Sequence, residues 1–147
     1  MTMRTTPEPS SEDARRRMQR TVRRDTCCEI AIRSAVHGLG VRYRIDWMVP
    51  GTRNRADLAF VSARVLVFID GCFWHGCPRH ATWPKANASW WREKIEGNMR
   101  RDRDATKLLR RKGWTVLRVW EHEPAALAAG RIASTVKRRR ADHGQRP

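Results

Sequence analysis

Apolar residues recur through the middle of the chain with two different periods, and the switches between them mark the elements. In "TCCEIAIRSAVHGLG", Cys28, Ile32, Ala35, Val36 and Leu39 share one helical face, and Gly38 or Gly40 supplies the stop. Thr26 and Glu29 have the spacing of a capping box at the start of this helix. The next run, "VRYRIDWMV", alternates, with Val41, Tyr43, Ile45, Trp47 and Val49 on one face and Arg42, Arg44, Asp46 and Met48 on the other. That period predicts a half-buried strand. After the polar turn "PGTRNR", a second strand is expected at 56–61 and a third at 64–70, the latter apolar on both faces as a central strand is. "WWREKIEGNMRRDRDATKLLRRKG" returns to the helical period through Ile95, Met99, Ala105, Leu108 and Leu109, with Gly113 placed for a left-handed stop. "WTVLRVWE" reads as a fourth strand and "EPAALAAGRIASTVKRR" as a closing helix. The order α-β-β-β-α-β-α predicts an α/β fold in which helices flank a mixed sheet.

The 147 residues suit one domain. Residues 1–22 carry no hydrophobic period and read as a mobile basic arm, 23–136 as the single folded domain, and 137–147 as a basic disordered tail.

Charge narrows the choice of partner. Lys and Arg number 31 against 15 Asp and Glu, a formal net charge of +16, which favours polyanions and nucleic acid first among them. No stretch has the roughly 18 apolar residues of a membrane span, and the N-terminus has no apolar signal core, so a cytoplasmic protein without a membrane partner is expected. Two of the four cysteines, Cys27 and Cys28, are adjacent, which suits thiol or metal chemistry better than a disulfide framework.

The densest chemistry lies in "GCFWHGCPRH". Cys72, Cys77 and His80 are spaced C-x4-C-x2-H, and His122 in "VWEHE" could join them at the same sheet edge. Such a set can close a structural tetrahedral zinc site; the alternative is a small buried cysteine and ordinary surface histidines. Asp57 opens the second strand and Asp70 closes the third, so the sheet could bring both to one end and offer Mg²⁺ hard oxygen ligands, although an aspartate at a strand start also serves as a turn residue. His75 is placed to act as a general acid or base. Phe73 and Trp74 could pack in the core or stack on bases. Trp90 and Trp91 open a helix whose segment 92–112 holds nine Lys or Arg against four acids.

Together "RRDT", "RADLAF", "GCFWHGCPRH", "WWREKI" with "NMRRDRD", and "GWTVLRVWE" resemble the very short patch repair endonucleases, which nick DNA at T:G mismatches, over residues 18–123. The resemblance implies a restriction-endonuclease-like α/β core. It implies Asp57 as the principal Mg²⁺ carboxylate, the main-chain carbonyl of Ile69 as a second ligand of a centre expected to hold two ions, His75 as general acid/base, and Glu29 as a carboxylate orienting water. Cys72, Cys77, His80 and His122 match the structural zinc set. Phe73, Trp74 and Trp91 match the aromatics that open the base stack at the mismatch, with Lys94, Asn98 and Arg101 as further DNA contacts. Asp70 stands where some members carry a histidine, and is either a metal ligand or a water-orienting group. The partner implied is double-stranded DNA with a T:G mismatch, met by a monomer whose functional companion is a cytosine-5 DNA methyltransferase. Two other readings use the same residues: a nuclease with a different DNA target, and a non-catalytic zinc module that binds bent DNA.

Overall fold

The computed structural model of the chain describes residues 8–9, 11–20, 26–72, 74–79 and 83–144, with the backbone alone at 17–20. Among the described residues, four helices and four strands follow in the order α1 (Glu12–Arg20), α2 (Cys27–Gly38), β1 (Arg44–Met48), β2 (Arg55–Phe60), β3 (Val65–Asp70), α3 (Ala88–Arg111), β4 (Thr115–Trp120) and α4 (Ala125–Gly144). The strands lie in sequence order; β1, β2 and β3 are antiparallel neighbours and β4 joins β3 in parallel. A meander followed by a helical crossover is the mixed α/β sheet that the periodicity predicts.

Two cores enclose the sheet. On one face Ile32 and Val36 of α2 and Ala128, Ala129, Ile132, Ala133 and Val136 of α4 pack on Leu58, Phe60, Val65, Val67 and Val119. On the other face Leu109 of α3 packs on Ala59, Leu66, Trp114 and Val116. The central β3 feeds both, which explains its run of apolar residues.

Local chemistry sets the helix ends. Thr26 Oγ1 accepts from the Glu29 N–H at 3.3 Å at the start of α2. At the end of α3, Gly113 (φ +90°) donates to the Arg110 carbonyl and Trp114 to that of Leu109, the paired bonds of a Schellman motif, while Trp114 covers Leu109. Arg64, at the β2–β3 turn, donates to the Lys112 and Gly113 carbonyls and lies over the Trp114 ring, tying the hairpin to that helix end.

The strand alternation expected for 41–49 breaks midway. Val41 and Tyr43 pack with the α2–α4 core, but Trp47 and Val49 pack with the α3 core. Asp46 has φ +47°, and this left-handed residue reverses the pleat, so positions that would share one face are divided between two.

Both chain ends also differ from expectation. Within the segment read as an unstructured arm, α1 forms through local bonding: Ser11 Oγ accepts from the Ala14 N–H, and Glu12 and Asp13 sit at the helix N-terminus. The expected disordered tail is helical as far as Gly144: Arg139 and His143, themselves half-buried, continue the buried face of Ile132 and Val136 as polar residues that carry no apolar signal. Among the described residues no helix is long and apolar enough to cross a membrane.

Candidate active site

The β2–β3 ladder stops at Leu58–Val67, which leaves Ile69 without a backbone partner on β2. Asp57 takes its N–H: Oδ2 accepts that proton at 2.6 Å, so the carboxylate is anchored on the residue whose carbonyl was expected beside it. Glu29, Arg33, Ile45, Asp46, Asp57, Leu58 and Ile69 line an open cleft of about 80 Å³ here. At roughly 10–15 Å³ per ordered water, the cleft has room for a hydrated divalent ion.

Electrostatics mark the same place. Burial pushes the Asp57 carboxyl up to about 6; the Ile69 hydrogen bond opposes this, and the charges of Glu29, Asp70 and Asp46 add to it. A partly buried carboxylate crowded by three others is a site whose charge a cation would relieve. Glu29 faces this cleft while its backbone N–H is capped by Thr26, and Arg33 approaches it at 4.0 Å. Asp46 was not singled out from the sequence. The pairs Ile45–Leu58 and Trp47–Ala56 set it opposite Asp57 across two strands, and Arg55 holds its carboxylate at 2.9 and 3.2 Å.

Asp70 ends at the same end of the sheet as Asp57 but faces the other way, toward α3. It is 6% exposed, and Arg118 Nη1 donates to both of its oxygens at 3.1 and 3.3 Å. Burial raises its pKa, against the opposing charges of Arg118 and His75. His75 stands between this pair and α3, its Nδ1 2.5 Å from Asp102 Oδ2 and 3.8 Å from Asp70 Oδ1. Burial disfavours the imidazolium, yet the Asp102 hydrogen bond and the Asp70 and Asp102 charges outweigh it and lift the His75 pKa above the ordinary value. Asp102, inside "NMRRDRD", escaped the sequence reading; the only signal was that His75 needed a partner to orient it.

The turn that carries His75 is itself knotted. Cys72 and Cys77 are buried, and their Sγ atoms lie 3.2 and 3.6 Å from His122 Nδ1. Ligand bonds of 2.3 Å to sulfur and about 2.1 Å to nitrogen give a tetrahedral S–N edge of about 3.6 Å, so this donor set fits zinc. Burial and the adjoining Cys77 push the Cys72 thiol up to about 11. Without a cation the pair would remain as two buried thiols. Gly76 (φ +63°) lets the knot close against α3; a Cβ there would lie 2.6 Å from Met99 Sδ. His80 and Phe73 lie outside the described residues.

Beside the knot, Trp74 and Trp91 pack with ring centroids 5.8 Å apart, and Trp90 meets Trp91 at 4.8 Å. Asn98 donates to the Trp74 carbonyl at 2.9 Å, and Arg101 donates to Asn98. Both therefore have internal partners that hold an aromatic, whereas Lys94 is exposed on α3. Trp83 is 46% exposed and lies under the Arg92 guanidinium.

Residues 10–80 match the family model for the DNA mismatch endonuclease Vsr. The chain is 42% identical to the type II nicking enzyme V.NaeI of Lentzea aerocolonigenes over 135 residues, 90% of this chain and 81% of that protein. It is 40% identical to the type II nicking enzyme V.XorIIP of Xanthomonas oryzae over 82% of this chain and 88% of that protein. It is 36% identical to the DNA mismatch endonuclease Vsr of Escherichia coli over 71% of this chain and 66% of that protein. The acidic cleft, the His75–Asp102 pair and the Cys–His knot thus sit on a scaffold shared with DNA endonucleases, and the chain belongs to the very short patch repair (Vsr) endonuclease family.

Proposed function

We propose that this endonuclease nicks one strand of duplex DNA at T:G mismatches by Mg²⁺-dependent phosphodiester hydrolysis. The observation that carries the reading is Asp57, fastened to the Ile69 N–H in a cleft it shares with Glu29, at the sheet end that also carries the His75–Asp102 pair. Asp57 and the Ile69 carbonyl hold Mg²⁺, in a centre expected to take two ions, and the bound metal supplies Lewis-acid neutralisation of charge on the scissile phosphate. Glu29 accepts hydrogen bonds from water on the same side of the cleft. Asp102 fixes Nδ1 of His75, which leaves Nε2 as the atom that moves a proton to or from water and the leaving oxygen.

Cys72, Cys77, His122 and His80 hold a structural zinc ion that keeps His75 and Trp74 in place. Phe73, Trp74 and Trp91 press into the duplex at the mismatch, where a T:G wobble is more easily unstacked than a matched pair. Lys94 and neighbouring cations of α3 meet backbone phosphates. With six to ten such contacts, affinity for duplex DNA is expected to fall roughly a thousandfold or more between 50 and 200 mM salt in a filter-binding titration. Monomeric action and a cytosine-5 methyltransferase companion go with this reading.

A second reading, nicking at another DNA target, is favoured by the names of the Lentzea and Xanthomonas relatives, which are nicking enzymes. One experiment separates the two. End-labelled duplexes of one sequence, carrying T:G or T:A at a single position, are incubated with Mg²⁺ or with EDTA and resolved on a denaturing gel. Cleavage of one strand of the T:G duplex alone, and only with Mg²⁺, is the expected result; equal cleavage of both duplexes would overturn mismatch direction.

A further inference from the structure

The α3 side of the site contains a cation that the reaction described above does not use. Arg118, on β4, spreads its donors over two neighbouring elements, β3 and α3: Nη1 to both oxygens of Asp70, Nη2 to Asp102 Oδ1 at 3.4 Å, and Nε to Thr106 Oγ1 at 3.3 Å. Its guanidinium carbon lies 4.7 Å from the Phe68 ring centroid. Both partner carboxylates and the guanidinium are largely withdrawn from water, with side-chain exposures of 8% for Asp70, 24% for Asp102 and 25% for Arg118. Planarity is what makes such a spread possible, since the guanidinium presents its donors in a fixed fork.

Two consequences follow for the neighbouring histidine. The oxygens of Asp102 are divided, Oδ2 to His75 Nδ1 and Oδ1 to Arg118, so the carboxylate is gripped from both sides. The other nearby acceptor, Asp70, is taken up by Nη1 and stays 3.8 Å from the imidazole, outside hydrogen-bond range. Asp70, His75 and Asp102 bring ligand atoms close enough together to surround a metal ion. The guanidinium already supplies their positive charge, and a divalent ion placed among them would face it directly.

We infer that Arg118 is a positioning residue for the nicking reaction: by clamping Asp70 and Asp102 it selects Asp102 as the partner of His75 Nδ1 and so aims the opposite ring nitrogen at the scissile phosphate. The cluster of Asp70, His75 and Asp102 is therefore an orienting network and binds no metal. This inference rests on the reading of His75 as the acid/base group.

The test uses the full-length, zinc-loaded enzyme with Mg²⁺ on the duplex it nicks. Arg118→Ala is expected to lower the single-turnover nicking rate by roughly ten- to a hundredfold, the range for groups that orient a functional ligand, with duplex Kd unchanged. Added guanidinium chloride, at concentrations too low to unfold the protein, should restore part of the rate; NaCl at equal ionic strength should not. In a His75→Ala background, Arg118→Ala should cost nothing more, because the two act through one group. A further full loss in that background, or a loss that appears in Kd instead of rate, would overturn the inference. Should Arg118→Ala leave Asp70 unpaired and unfold the protein, Asp70→Asn with Arg118→Met removes both charges together. That folded double variant is expected to show the same loss of rate, and a rate equal to wild type would overturn the proposal. Full activity of His75→Ala alone would instead sink the acid/base reading beneath it.

Discussion

Replacing Asp57 by Asn is expected to slow nicking roughly a thousandfold or more and, at the same time, to raise the melting temperature of the zinc-loaded protein without Mg²⁺. The first effect follows from chemistry: a metal centre contributes several kcal/mol of transition-state stabilisation, and each 1.4 kcal/mol is about tenfold in rate. Duplex affinity without Mg²⁺ should hold or increase, since a carboxylate facing phosphate is removed. The second effect follows from electrostatics. Burial and the nearby Glu29, Asp70 and Asp46 lift the folded-state Asp57 pKa to about 6, above its ordinary value of 3.8. A carboxyl shifted upward costs no stability below the lower value, and the cost grows to its full size as pH rises through the higher one. At neutral pH the penalty is at most about 3 kcal/mol, and Asn escapes it. Thermal melts of the zinc-loaded protein without Mg²⁺ at pH 7.5 should therefore favour Asp57→Asn by several degrees, with the gap closing near pH 4. A variant that is no more stable and still nicks would remove Asp57 from the centre of the site.

The second large effect is expected at the knot. Elemental analysis of protein purified without chelator should find one zinc per chain, and stripping it should eliminate nicking in a way that Zn²⁺ restores and Mg²⁺ alone does not. Structural zinc sites are worth on the order of 10 kcal/mol, comparable with the whole stability of a domain. The knot seats Gly76 against Ile95 and Met99 and packs Trp74 on Trp91. It also carries His75 and Trp74, so its loosening would misplace the acid/base group and an aromatic together. Cys72→Ser should lower the melting temperature sharply. An unchanged melt in that variant, or protein without stoichiometric zinc, would leave Cys72 and Cys77 as two buried thiols.

Much of this was legible along the chain. The helical periods of Ile32–Val36 and Ile95–Leu109, the stop at Gly113 and the apolar run of β3 depend on neighbours within a turn or a strand, and they announced the elements from α2 to α4 in the right order, though not α1. Asp57 near the start of β2 and the cysteines of the knot were visible for the same reason, since motif residues close in sequence report themselves by spacing. The tertiary structure decided what was not local. Asp46 came to face Asp57 through the register of β1 on β2, a pairing between strands that no alternation pattern within one strand announces. Asp102 met His75 across 27 residues, and Arg118 met Asp70 across 48. In a chain with 31 basic and 15 acidic side chains, any carboxylate has many possible cations. Composition names the charges, but which of them pair depends on which strand ends and helix faces the sheet draws together, because an ion pair acts over a few ångströms in space and carries no period in sequence.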